Sequence, residues 1–121
     1  MECEENRNKY DLEERTFQFA KSVCNYTKRL KKTVQNIEYI KQVIKSSASS
    51  GANYIEANEK LSKSDFIYRI KICRKEAKES AFWLRLIVET NEEEYSKEGM
   101  KLFNEAIELK KIFSAIIKKS E

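Results

Sequence analysis

No proline interrupts this chain, and glycine occurs at only two of its 121 positions, Gly51 and Gly99. Both residue types break or terminate helices, so their scarcity predicts long helices joined by short connections. The apolar residues agree, because they recur at intervals of three and four. A first helix is predicted from about Asp11, where Asp11 and Glu14 resemble a capping pair. Its stripe is Leu12, Phe19, Val23, Tyr26 and Leu30, flanked by Phe17, Ala20 and Cys24. Its end carries Lys28, Arg29, Lys31 and Lys32, where cations complement the helix dipole.

The second segment contains SASSG, which read alone suggests a linker. The stripe Ile37, Ile40, Ile44, Ser47, Gly51, Tyr54, Asn58, Leu61 nevertheless keeps its phase across it. One helix from about Thr33 to Leu61, with a waist of small residues, is the expectation. Glycine inside a helix costs roughly 1 kcal/mol relative to alanine, and close helix contact would offset that. A third helix follows LSKSD, with Ser62 or Ser64 as cap and the stripe Phe66, Ile70, Cys73, Ala77, Ser80, Leu84, Ile87. Folding the second and third helices back about residues 62 and 63 sets Gly51 level with Cys73 and Arg74, and Ser47 level with Ala77. The acidic stretch ETNEEEYSKEG then leads to a fourth helix carrying Leu102, Ala106, Leu109, Phe113 and Ile116.

The predicted fold is all-α, an antiparallel up-down-up-down four-helix bundle with a long central helix hairpin. Residues 11–119 form its single domain, and residues 1–10 are expected to be frayed. Tyr10, Phe17, Tyr39, Tyr68, Phe82, Trp83 and Tyr95 are more aromatics than one small core needs. They either rim the core or serve a subunit interface, where aromatics are enriched.

Histidine is absent, which removes the commonest general acid–base and the commonest metal ligand. A di-iron site in a helix bundle needs Glu-x-x-His pairs, which are not available. No glycine-rich phosphate loop occurs. Cys3, Cys24 and Cys73 have no CxxC spacing and read as free thiols of a reducing cytoplasm. Neither a signal peptide nor a membrane span is evident. The expectation is a soluble, cytoplasmic protein that is not an enzyme and needs no cofactor or metal.

Charge is unevenly placed. The chain carries +4 overall, yet residues 28–85 hold 14 Lys or Arg against 6 Asp or Glu. Lys71, Arg74, Lys75, Lys78 and Arg85 fall on the third helix. With Lys41, Lys45 and the cluster Lys28, Arg29, Lys31 and Lys32, they are candidates for binding phosphates of a nucleic acid. The alternative is an ordinary solvated face. A second polar set, Asn53 and Glu56 with Glu76 and Glu79, reads either as solvated surface or as an interhelical network fixing register.

Two stretches resemble a known family. GANYIEA on the second helix and DFIYRIKICRKEAKESAFWL on the third are similar to bacterial four-helix bundle proteins known as 23S rRNA intervening-sequence proteins. DLEERTFQFA and ELKKIFSAIIKK fit as well, so the resemblance spans about residues 10 to 119. The matching positions are Gly51, Ala52, Asn53 and Glu56, then Lys71, Glu76, Ala77, Glu79, Ser80 and Trp83. The resemblance implies a homopentameric ring with no attached enzymatic activity. A related accessory protein of diversity-generating retroelements is a basic pentameric barrel that binds nucleic acid and a reverse transcriptase. The reading favoured is thus a self-assembling bundle whose basic face binds RNA or another nucleic acid. The alternative is a scaffold that docks a partner protein and binds no nucleic acid.

Overall fold

The computed structural model describes the backbone of residues 4–121 and the side chains of residues 11–121. Four helices run α1 (Glu4–Lys28), α2 (Val34–Ala57), α3 (Lys63–Thr90) and α4 (Ser96–Ser120), with a 3₁₀ turn at Glu93–Tyr95 before the last. Each packs on its sequence neighbour, and α1 closes the bundle against α4. The most extensive contacts are those of α3 with α4 and α2. This is the four-helix bundle that the periodicity predicts.

Local chemistry sets the helix ends. Thr33 Oγ1 accepts a hydrogen bond from the Asn36 amide at 3.1 Å, and Ser62 Oγ accepts one from the Asp65 amide at 3.0 Å. Each cap satisfies an orphan donor and is worth about 1 kcal/mol. At the end of α1, Lys32 Nζ donates to the carbonyls of Leu30, Thr27 and Lys28. Two boundaries differ from the sequence reading. α1 begins at Glu4, so Asp11 lies within the helix and does not start it. α2 stops at Ala57, short of Leu61, and Lys60 turns the chain with φ 53°. Cys3 and the side chain of Tyr10 lie outside the described residues.

The stripes of α1 and α3 face the core as expected. Leu12, Phe19, Val23, Tyr26 and Leu30 are buried, as are Ile70, Cys73, Ala77, Ser80, Leu84 and Ile87. On α4 the buried line is Leu102, Ala106, Leu109, Phe113 and Ile117, with Ile116 only partly covered. Burial pushes the Cys73 thiol up to about 12.

α2 is unbroken through SASSG, and Ser47, Gly51 and Tyr54 of the expected stripe are buried, but the buried face as a whole is turned away from the expected isoleucines. Ile37, Ile44 and Leu61 are exposed, whereas Val43, Ser46, Ser47, Ser50, Gly51, Tyr54 and Ala57 are buried. The serines can be buried because each hydroxyl donates back along the helix: Ser46 to Val43, Ser47 to Ile44, Ser50 to Ser47. The register of the α2–α3 hairpin lies close to the predicted one, since Ser46 Oγ and Ser80 Oγ share a 2.8 Å hydrogen bond. Gly51, however, faces α1. A Cβ there would sit 3.0 Å from Thr16 Oγ1 and 3.2 Å from Thr16 Cβ. Gly51 therefore makes room for α1, while Ser46 of the same waist meets α3, and Cys73 and Arg74 are not the nearest neighbours of Gly51.

The end of the bundle near the 3₁₀ turn is closed by polar contacts. The Tyr26 hydroxyl donates to the Tyr95 carbonyl at 2.9 Å, and burial raises its pKa to about 12. A side chain at Gly99 would overlap that hydroxyl and Val88. Asn36 and Asn91 exchange hydrogen bonds at 2.8 and 3.0 Å, tying the start of α2 to the end of α3.

Candidate nucleic-acid interface

One helical turn advances 5.4 Å, so Lys71, Arg74 or Lys75, and Lys78 place a cation at each successive turn of α3. The seam with α4 brings Lys110 and Ser114 opposite them. Together these six residues line an open cleft of about 450 Å³. Every charged residue in the cleft is a cation, and none forms an ion pair among the described residues. Like charges held together without ion-pair partners repel one another, and a bound anion relieves that repulsion. Multiple amines and a guanidinium along a groove suit a run of phosphates.

The other predicted cations are not brought to this cleft. Arg85 donates to Glu89 at 2.8 Å, one turn further along α3. The 28–32 cluster lies at the closed end, near the end of α3 and roughly 18 Å along the axis from Lys78 at 1.5 Å per residue. There Arg29 pairs with Glu98 and lies 5.9 Å above the Tyr26 ring. Lys31 pairs with Glu92 at 2.8 Å; that bond raises the lysine pKa and lowers that of the carboxylate. Lys32 caps α1, as described above, and Lys28 is exposed, with no side-chain partner among the described residues. A cavity of about 240 Å³ at this end is lined by Lys31, Thr33, Asn36, Asn91 and Glu92 among others. Its charged pair, Lys31 and Glu92, neutralises itself and the amides of Asn36 and Asn91 bond to each other, so these residues do not call for a ligand.

The motif residues divide between packing and surface. Gly51, Ala77 and Ser80 are buried, while Ala52, Glu56 and Glu79 are exposed. Asn53 Nδ2 donates to the Ser49 carbonyl at 3.0 Å, and its Oδ1 accepts from Arg69 Nη1 at 3.4 Å. No hydrogen bond joins Asn53 to Glu56, Glu76 or Glu79, so within one chain this set is not a network. Glu76 is half-buried, and burial, then Glu79, raises its pKa against the opposing pull of Lys75 and Lys45. Trp83 lies between Tyr39, at a ring separation of 6.2 Å, and Phe82, edge-on at 5.0 Å.

The reading from sequence missed Lys110 and Ser114. Both belong to α4, and only the α3–α4 packing shows that they share a cleft with Lys71 and Lys78. An opposite surface also emerges. Ile37, Ile44 and Ile55 on α2 are exposed and spaced to share one face, and Phe17 is exposed on α1.

Fold and cleft together define a small all-α bundle with one cationic seam and one apolar face. The chain belongs to the 23S rRNA-intervening sequence protein family, whose profile matches residues 8–115. Among solved structures it is similar to a protein of unknown function from the S23 ribosomal protein family of Bacteroides thetaiotaomicron. That similarity has 31% identity and a TM-score of 0.77, covering 91% of this chain and 97% of the other. No curated protein matches. Among the described residues, no helix is long and apolar enough to cross a membrane.

Proposed function

We propose that this protein is a non-catalytic, cytoplasmic, self-assembling bundle that binds RNA or another nucleic acid through the α3–α4 cleft. The observation carrying this reading is the acid-free groove of Lys71, Arg74, Lys75, Lys78 and Lys110. Unpaired cations spaced along a seam favour phosphate contacts that are salt-sensitive and tolerant of sequence. The name of the family, which refers to rRNA, points the same way. Assembly multiplies a modest patch by the number of copies and so raises avidity. The resemblance implies five copies, and the exposed apolar residues Phe17, Ile37, Ile44 and Ile55 favour self-association.

The test is binding to a structured RNA across a salt series. The expected result is measurable affinity at low salt that falls linearly in log–log form. Lys71→Gln with Lys78→Gln should lower both affinity and slope. Absence of binding at low salt removes the proposal. A mass measurement in solution tests assembly, with a pentamer expected and a strict monomer overturning it. The second reading, a scaffold for a partner protein, draws on the same apolar face. A defined partner recovered after nuclease treatment, with no RNA affinity, would favour it.

A further inference from the structure

We propose that the α3–α4 cleft takes an unpaired polynucleotide strand, with Tyr68 and Phe82 as base-stacking platforms at the two ends of its cationic row. This rests on the nucleic-acid reading above and specifies the form of the ligand. Tyr68 is 62% exposed and Phe82 is 60% exposed, so neither ring is covered by the rest of the chain. Tyr68, Lys75 and Phe82 are spaced by seven residues and share one line along α3. Lys71 and Lys78, each three residues beyond Tyr68 and Lys75, form a parallel line on the cleft side. Each ring therefore has a cation within one turn of it, and the two aromatics bracket the cations along a single surface.

That arrangement suits one chemistry. A single strand offers phosphates to the amines and free base faces to the rings. A duplex offers the same phosphates, but its base faces are occupied by stacking on one another. The amines alone would serve either form, whereas the uncovered rings gain a partner only from the unpaired one. Phe82 is also braced for the task. Its ring stands edge-on to Trp83 at an interplanar angle of 81°, and Trp83 packs in turn on Tyr39 of α2. The apolar face of α1 and α2 differs, because its exposed residues are mainly aliphatic isoleucines, which offer no flat ring for a base to stack on.

The experiment measures binding of the full chain to three labelled RNAs of equal length at fixed low salt. These are an unpaired strand, a duplex, and a strand of the same backbone lacking bases. Phe82→Ala and Tyr68→Ala should each lower affinity for the unpaired strand by about tenfold, the usual scale for one base–aromatic stack. Duplex affinity and the salt slope should not move. The baseless strand should bind the wild-type protein about as weakly as the unpaired strand binds the variant carrying both Tyr68→Ala and Phe82→Ala. Phe82→Leu keeps the apolar bulk against Trp83 without a flat ring, and it should behave like Phe82→Ala. Lys71→Gln with Lys78→Gln should weaken all three RNAs and reduce the salt slope by about two. Equal affinity for strand and duplex, or full binding by Phe82→Leu, overturns the stacking inference while the phosphate cleft stands. No binding to any of the RNAs overturns both.

Discussion

The two long seams of this bundle solve the same packing problem in opposite ways. Between α3 and α4, large side chains such as Ile70, Leu84, Leu109 and Phe113 fill the interior, and the lips of the seam are cationic. Between α1 and α2, Gly51 lets the helices approach at Thr16, α2 buries Ser46, Ser47 and Ser50, and its isoleucines Ile37, Ile44 and Ile55 are exposed. The first seam hides its apolar residues and presents charge. The second hides small hydroxyl residues and presents apolar surface. Each choice fits a different partner, phosphates for one and a further protein surface for the other.

The largest expected effect tests whether the α1–α2 seam is as close as its geometry shows. Gly51→Leu would drive a side chain into Thr16, whose hydroxyl is already bonded to the Glu13 carbonyl at 3.0 Å. Overpacking of this kind should cost about 3 kcal/mol, read by urea unfolding. On the lip of the other seam, Ser114→Leu should change stability by less than about 0.5 kcal/mol. Similar costs for the two variants would break the contrast. Next in size is charge. Reversing Lys71 and Lys78 to glutamate should lower RNA affinity on the order of 100-fold, about 2.8 kcal/mol. The matching reversal of Arg29 and Lys31, whose charges are already paired with Glu98 and Glu92, should lower it far less. Equal losses would mean that the cleft is not the binding surface.

These seams were not equally legible in the sequence. The face of α3 could be read because its buried positions, Ile70, Cys73, Leu84 and Ile87, are also its apolar ones. Most of the cleft was legible too, since Lys71, Arg74, Lys75 and Lys78 share a helix. Lys110 was not, because no local pattern says which face of α4 meets which face of α3. On α2 the strongest apolar signal misled. Ile37 and Ile44 mark the outer face, and the core side carries Ser46, Ser47 and Ser50. A serine whose hydroxyl bonds to a carbonyl three residues back is internally satisfied, and hydropathy does not register that. The aim of Gly51 at α1 rather than α3 was hidden for the same reason, since a glycine gives no sign of the neighbour for which it leaves room. The 28–32 cluster looked like a binding patch because its counter-charges, Glu92 and Glu98, lie more than sixty residues away in sequence.

The apolar face invites a smaller test. Covering the remaining surface of a half-exposed isoleucine contributes about 1 kcal/mol. Ile37→Asp with Ile44→Asp should therefore lower the assembly mass in light scattering, while each substitution costs the monomer about 1 kcal/mol for the half of the side chain already covered. An unchanged mass would assign self-association to another surface. The smallest effect concerns Glu76, the half-buried acid on α3 among the cations Lys45 and Lys75. Its folded pKa lies above the ordinary 4.5, chiefly through burial and then through Glu79. The folded state then binds this proton more tightly than the unfolded state does, so this group disfavours folding at neutral pH. Its penalty should fade as the pH drops through the raised value towards 4.5. Glu76→Gln should stabilise the fold slightly at pH 7, and the gain should shrink at pH 5, as urea midpoints at the two values would show. If instead the variant loses stability at pH 7, the charged carboxylate is held by Lys45 and Lys75 more strongly than burial disfavours it. The cationic surface of α3 would then extend past the cleft and around to the α2 side.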